Sequence, residues 1–406
     1  MSTTPPSAVL HRAQQEVERP VPYQKIGFGQ CGLVFTKPGH GHVVKVARPY
    51  FSDGLWNDFL SHLRLLQALH FERHIKIPRV YSYVPRASET WWAANKPCLP
   101  PATHFFPLPS EALITERIPT LPATLRHALI DNFCPETLKG AAKTSPLNTD
   151  SLVRVYLGRR HQPQPGAPPP PPPPNFSLRN FNFCLDQLLQ FEFPVEEYAR
   201  VMGRCLATIH WQARMDGYDI EFVLGGSDPE DAENSYTTYL TQSSSAGLDV
   251  EQLEDMPMHS DIEALLSQPQ PQPQAGVFSR GDNSQRGADK SQNAHASTYL
   301  WVLDFNLCTR FPKDDDSFIL QHEDEVINQL VLAFFENDPY YPLPLMETDV
   351  DKNLWSVFSK EYGRKAEEIL SKDLAHLPVK FLNACVEREK RKLQEGLGHG
   401  HRDFKG

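Results

Sequence analysis

Apolar and polar positions follow a legible order along the first part of this chain. "GLVF" and "HVVKVA" have strand patterns and are separated by the turn cluster "TKPGHG", so residues 23–50 predict three short strands. The period then changes. Leu55, Phe59, Leu63 and Leu66 recur at helical spacing within 52–70, with Ser52 or Asp53 placed as N-cap. "PRVYSYV" (78–84) and "EALITERI" (111–118) return to strand patterns, so the chain opens β-β-β-α-β-β, and "VRVYLGRR" (153–160) predicts a further strand. The clearest helix covers 193–211, where Tyr198, Val201, Met202, Cys205, Leu206 and Ile209 form one apolar stripe behind Pro194. "DIEFVLG" (219–225) and "YLWVLDF" (299–305) read as buried strands, and helices are predicted over 323–337, 353–370 and 378–394. Trp91, Trp92 and "HFFPLP" are expected to pack in loops, and His210 to be a hydrogen-bonded core histidine.

Two stretches break these patterns. Residues 161–174 end in an unbroken run from Pro168 to Pro174, which favours polyproline II and cannot enter a core. Residues 225–297 contain "QPQPQPQ" and a polar tract, too poor in large apolar residues to offset their ordering entropy. Both are expected to be insertions into one ordered fold, the second with a transient helix over 248–266, and both are candidate surfaces for protein partners. Composition narrows the classes further. The 406 residues allow a sizeable core, and a net charge of -10 without a basic block disfavours a nucleic-acid partner. No apolar run is long enough to span a bilayer, and the start lacks the apolar core of a signal peptide. Seven cysteines without C-x-x-C spacing predict reduced thiols, hence a cytoplasmic or nuclear location.

The chemistry-bearing residues begin at "IGFGQCGLVF", where Gly27, Gly29 and Gly32 stand in G-x-G-x-x-G spacing. A dinucleotide fold would continue into a helix after that motif, whereas here Val34 and Phe35 continue as a strand. Lys45 follows on the next strand, in "VVKVA". The helix after it contains no glutamate; Asp58 is its best-placed carboxylate for Lys45 and Asp53 the second. Asp304, at the end of an apolar strand, needs a partner or a metal, because a buried acid is costly alone. Asp216 has two readings, a turn cap or a functional acid, and Glu221 has two, an exposed strand residue or a ligand.

Together these motifs resemble the protein-kinase-like superfamily, including aminoglycoside-type phosphotransferases, over residues 23–224 and 299–395. The resemblance implies an α+β, two-lobed protein-kinase-like fold: a mainly β N-lobe over 23–118 and a mainly helical C-lobe over 119–395, with tails at 1–22 and 396–406. It implies ATP and Mg2+ as cofactors. Gly27, Gly29, Gly32 and Lys45 would lie on the nucleotide phosphates, with Asp58 on Lys45, and "ITERIP", including Glu116, would receive the adenine. Asp304 in "LDFN" and Glu221 would hold the metal, Asp216 would orient the acceptor, and Asn306 would supply a glycine-like φ. The segments "VRVYLGRR", "NFSLRNF" and "VEEYARVMGRCLATIHWQARMDGYDIEFVLG" also resemble a fungal family of unknown function. Three features depart from the kinase pattern: the missing helix glutamate, Glu221 in place of asparagine, and the absence of A-P-E after Asp304. Two function classes follow: a pseudokinase-like or weakly active nucleotide-binding interaction protein, or an ATP- and magnesium-dependent phosphotransferase acting on a small-molecule hydroxyl.

Overall fold

The computed structural model describes residues 21–69, 75–161, 176–226, 298–312 and 315–396, together with position 258. Nearly all of both tails, the proline run and nearly all of 225–297, with the helix expected over 248–266 except position 258, lie outside the described residues. The fold is mixed α/β with two five-stranded sheets.

Strands β1 (Gln24–Phe28), β2 (Gly32–Thr36) and β3 (His42–Ala47) form an antiparallel meander. Helix α1 (Ser52–Leu69) follows, then the two-residue strand β4 (Ile75–Lys76). The first sheet is completed by β5 (Val80–Val84) and β6 (Ala112–Glu116), with α2 (Glu89–Asn95) between them, in the order β1-β2-β3-β6-β5. Period-two alternation decides where Lys45 points. Val44 and Val46 enter a small core with Phe35, Trp92 and Phe106, so Lys45 faces the other side. Its register partners, Val34 on β2 and Leu113 on β6, place it in the middle of the sheet.

Three short helices come next: α3 (Ala123–Phe133), α4 (Lys139–Thr144) and α5 (Pro146–Thr149). Strands β7 (Val153–Tyr156) and β8 (Phe181–Cys184) pair in parallel, followed by α6 (Leu185–Gln190) and α7 (Val195–Ala207). Strands β9 (Glu221–Gly226) and β10 (Thr298–Leu303) are antiparallel neighbours, and β4 joins β10 in parallel. The second sheet therefore runs β4-β10-β9-β7-β8. Helices α8 (Asp316–Gln321), α9 (Glu323–Glu336), α10 (Asp349–Ile369) and α11 (Leu377–Gln394) complete the described fold.

The part of the chain after residue 118 was expected to be mainly helical. It also supplies four of the five strands of the second sheet, because β7 and β8 add to the β9–β10 pair. The helix expected over 193–211 changes form near its end: after α7 the chain widens into a π-turn over Thr208–Gln212. All six residues of its predicted stripe are buried. The glycine inside α7 has a packing role. A Cβ on Gly203 would lie 2.4 Å from the Phe358 carbonyl oxygen, so α7 and α10 touch through backbone there. Helix α10 starts earlier than its apolar pattern, at Asp349, because the Thr348 side chain caps it by accepting from the Asp351 N–H. Trp91 and Trp92 lie in α2 rather than in a loop. One large hydrophobic cluster takes residues from α1, both sheets and α7 to α11, so the two sheets share a core.

Candidate functional site

A cavity of about 450 Å³ lies between the two sheets. That volume suits a small-molecule ligand. Its roof is the β1–β2 hairpin, its apolar walls include Ile26, Val34, Val43 and Leu113 from the first sheet and Val223 and Leu303 from the second, and Lys45 sits at its back. The three glycines behave differently. Gly27 and Gly29 line the cavity, and the Gly29 N–H closes the hairpin by donating to the Gly32 carbonyl at 2.9 Å. Gly32 does not line it. A Cβ there would meet the Val46 carbonyl at 2.7 Å and Lys45 Cγ at 3.0 Å, so its smallness lets β2 lie close to Lys45. Arg48 braces the hairpin tip, donating to the carbonyls of Gly29 and Gln30 and stacking over the Phe28 ring.

Lys45 meets both acids named for it. Its Nζ donates to Asp58 Oδ2 and to Asp304 Oδ1, each at 2.8 Å. Burial works against its charge, but Asp304 and Asp58 outweigh burial and hold the ammonium well above its ordinary range. The shorter aspartate suffices because α1 lies close to the sheet and to the turn after β10. Asp58 Oδ1 accepts from the Phe305 N–H at 3.0 Å, and its neighbour Asn57 donates to the carbonyls of Asn306 and Cys308 at 3.0 and 2.9 Å. Helix α1 therefore fixes the 304–308 turn and Lys45 together. The left-handed residue of that turn is Asp304 itself (φ 64°), whereas Asn306, expected to need such a φ, has none. Arg214 and Asp219 are also left-handed, at φ 53° and 64°. Non-glycine residues in that region cost about 1–3 kcal/mol each and persist where surroundings over-determine them.

Three of the expected site residues have hydrogen-bond or ion-pair partners of their own. Asp216 does not line the cavity. Its Oδ1 accepts from the Tyr218 and Thr309 N–H groups at 3.0 and 2.9 Å and its Oδ2 from Gln329 at 3.0 Å, so it caps the turn. Three residues on, Asp219 does line the cavity. Buried Asn337 clamps that turn, accepting from the Asp219 N–H and donating to the Gly217 carbonyl at 3.0 Å. Glu116 also lines the cavity, but its carboxylate is turned onto Arg79, at 3.2 Å. The backbone donors beside it are occupied too: Glu116 N–H by the Arg79 carbonyl and Arg117 N–H by the Gly41 carbonyl. A ring bound at this strand would rest on aliphatic contact rather than on those two donors.

Glu221 is the third. Register places it opposite Leu303, next to Asp304, as a metal pair would require. However, its Oε1 accepts from Arg154 Nη2 in a very close ion pair, while Arg154 Nη1 donates to Asp338 at 2.7 Å. Tyr156 also donates to Asp338, at 2.7 Å. Burial pushes the Glu221 carboxyl up to about 8; Arg154 pulls it down, and the nearby Asp304, Asp338 and Asp219 add to the rise. Among the described residues no group of three or more His, Cys, Asp or Glu could hold a metal ion. Both acids named for a metal thus already have a cationic partner, Asp304 Oδ1 in Lys45 and Glu221 Oε1 in Arg154.

Arg154, Asp219, Asp338 and Tyr340 are cavity residues that sequence reasoning missed. Buried Tyr340 Oη and Arg154 Nε have no hydrogen-bond partner among the described residues. Among the described residues the lining carries eight carboxylates against Lys45 and three arginines, and Arg79 outside it pairs with one of them, Glu116.

A family profile described as "DUF3669: Zinc finger protein" matches residues 300–374, less than half of the chain. That stretch contains one cysteine, Cys308, and one histidine, His322, too few for the usual four-ligand zinc site. No curated protein matches the chain. A solved structure of a "microcompartment-associated aminopropanol kinase" aligns over 96% of this chain and 97% of that one, at 10% identity and a TM-score of 0.20. A TM-score that low carries no argument about fold or function. Among the described residues no helix is long and apolar enough to cross a membrane.

Proposed function

We propose that this protein is a kinase-like nucleotide-binding protein, pseudokinase-like, that keeps a ligand cleft and has lost most of the phosphoryl-transfer machinery. The N-lobe is residues 23–118 and the C-lobe 119–395, with the ligand between them. One observation carries this reading: Lys45 is held between Asp58 and Asp304 beneath a glycine-rich hairpin, at the back of a cavity with aliphatic walls. The slot between Val34, Val43 and Leu113 above and Val223 and Leu303 below suits a flat ring such as adenine, and Lys45 suits the phosphates. Loss of transfer is supported by the buried, saturated Asp216 and by the arginine on Glu221. Its partners would be proteins met through the proline-rich segments, in the cytoplasm or nucleus.

A second reading is favoured by Asp219. A carboxylate on a strained backbone at the cavity wall could accept a hydroxyl proton in place of Asp216, making a small-molecule phosphotransferase. The two are separated by one set of assays. Thermal melting with ATP should rise in the parent protein and not in Lys45→Met, with no phosphate released and no small-molecule hydroxyl phosphorylated. Turnover lost in Asp219→Asn would select the second reading. No shift with ATP and no turnover would end both.

A further inference from the structure

We propose that Arg154 is a built-in counter-cation standing where a divalent metal would otherwise be held, so that ligand binding in this cavity does not depend on magnesium. The inference rests on the cavity being the ligand site, but its first test uses no nucleotide.

The geometry starts from strand pairing. Arg154 lies on β7 opposite Val223 of β9, in a sheet whose next strand is β10. That register brings its guanidinium to the end of β9, where Glu221 begins the strand, and to Asp338 just beyond α9. Two acids from separate elements thus converge on one cation, which is how a divalent ion gathers ligands in a kinase-like cleft. Guanidinium performs the same neutralisation with a fixed fork of donors, bonding one carboxylate through each Nη. The surroundings resemble a metal site's second layer. Tyr156 donates to Asp338 and so fixes its orientation, and Asp304 and Asp219 line the same cavity. Unlike a metal, the cation is covalently part of the fold and is always present.

The arrangement makes a specific demand. With Arg154 removed, Glu221 and Asp338 lose the cation they share, while Asp304 and Asp219 stay close enough to Glu221 to repel its charge. Those oxygens are hard ligands of the kind that Mg2+ and Mn2+ take. Arg154→Met should therefore create a divalent-cation site the parent protein lacks.

The experiment compares thermal melting and Mn2+ binding, by electron paramagnetic resonance, in the parent protein, Arg154→Met and the Arg154→Met/Glu221→Gln double variant. The parent is expected to show no Mn2+ site in the cavity and no change in melting temperature with millimolar Mn2+. Arg154→Met should bind Mn2+ at least tenfold more tightly than the parent, and the double variant should lose that gain. Should Arg154→Met fail to fold alone, Mn2+ is expected to restore a cooperative melting transition. Mn2+ binding in the parent that is lost in Glu221→Gln would overturn the proposal. So would a folded Arg154→Met without gained binding, or an unfolded one that Mn2+ does not rescue. A separate arm titrates ATP into the parent in EDTA and in magnesium. Equal affinities support the metal independence, binding only with magnesium contradicts it, and binding in neither condition counts against the nucleotide reading while the Mn2+ results still decide the role of Arg154.

Discussion

At the residue scale, two cations, Lys45 and Arg154, each hold two of the acids that line the cavity. A lysine in the middle of an apolar strand is conspicuous because it must be paired once it leaves water. An arginine in "VRVY" alternates as a solvent-facing strand residue should, and only the β7–β9 register shows that its face is the cavity wall. The Lys45 ion pairs are mostly withdrawn from water, although Asp304 keeps 26% of its side-chain exposure. Lys45→Met should therefore cost about 3 kcal/mol, at the low end for breaking a buried pair. Lys45→Met combined with Asp58→Asn should cost less than the two changes summed, as measured by urea denaturation without ligand; additive costs would contradict the pairing. Two buried histidines make a pH prediction. His62 Nε2 donates to the Pro78 carbonyl at 2.7 Å, and His210 Nδ1 lies 2.9 Å from the Tyr362 hydroxyl. Burial lowers His62 to about 4 and His210 to about 3. Their folded values lie below the unfolded value of about 6.5, so their contribution is complete above about pH 6.5 and is lost as pH falls toward the folded values. Urea midpoints should decline from pH 7 to pH 4.5, and less steeply in His210→Phe. An identical decline in that variant would contradict the assignment.

At the element scale, elements with a clear apolar period were readable, four-residue β7 included, and elements without one were not. Strands β1 to β3, helix α1, and the β9 and β10 runs each carry enough apolar repeats to declare themselves. Strand β4 has two residues and joins its sheet only through the distant β10. Helix α3 buries just Leu125, Leu129 and Ile130, too few for a stripe to stand out among the prolines around it. The site itself depends on joints between elements. Asn57 and Asp58 hold the 304–308 turn by bonds to its backbone, so Asn57→Ala should release one side of that turn. It is expected to destabilise the protein by about 1–3 kcal/mol, the cost of leaving buried carbonyls unpaired, and to weaken ATP binding as well. Unchanged urea stability would show that water replaces the amide. The α7–α10 contact offers a control away from the cavity. Gly203→Ala forces a methyl against the Phe358 carbonyl and should cost about 1–3 kcal/mol or more while leaving ligand affinity unchanged.

At the scale of the whole molecule, the chain builds two sheets on a shared core and leaves a cavity between them. The linker that joins the sheets, after β6, runs directly over Gly225 and Gly226, where a Cβ would come within 2.5 Å of Ile118 and of the Thr120 carbonyl. Those glycines read as the start of an insertion in sequence, yet they finish β9, because close backbone approach leaves the same mark as a loop. The order of motifs was readable because each keeps its local pattern whatever lies between. The charge balance of the cavity was not, since it depends on which strands become neighbours. A nucleotide in this cavity can be sought by photolabelling with 8-azido-ATP followed by peptide mapping. Labelling is expected within 43–45, 113–118 or 221–224, suppressed by excess ATP and lost in Lys45→Met. Labelling confined to surfaces away from the cavity, or none that ATP suppresses, would contradict nucleotide binding there.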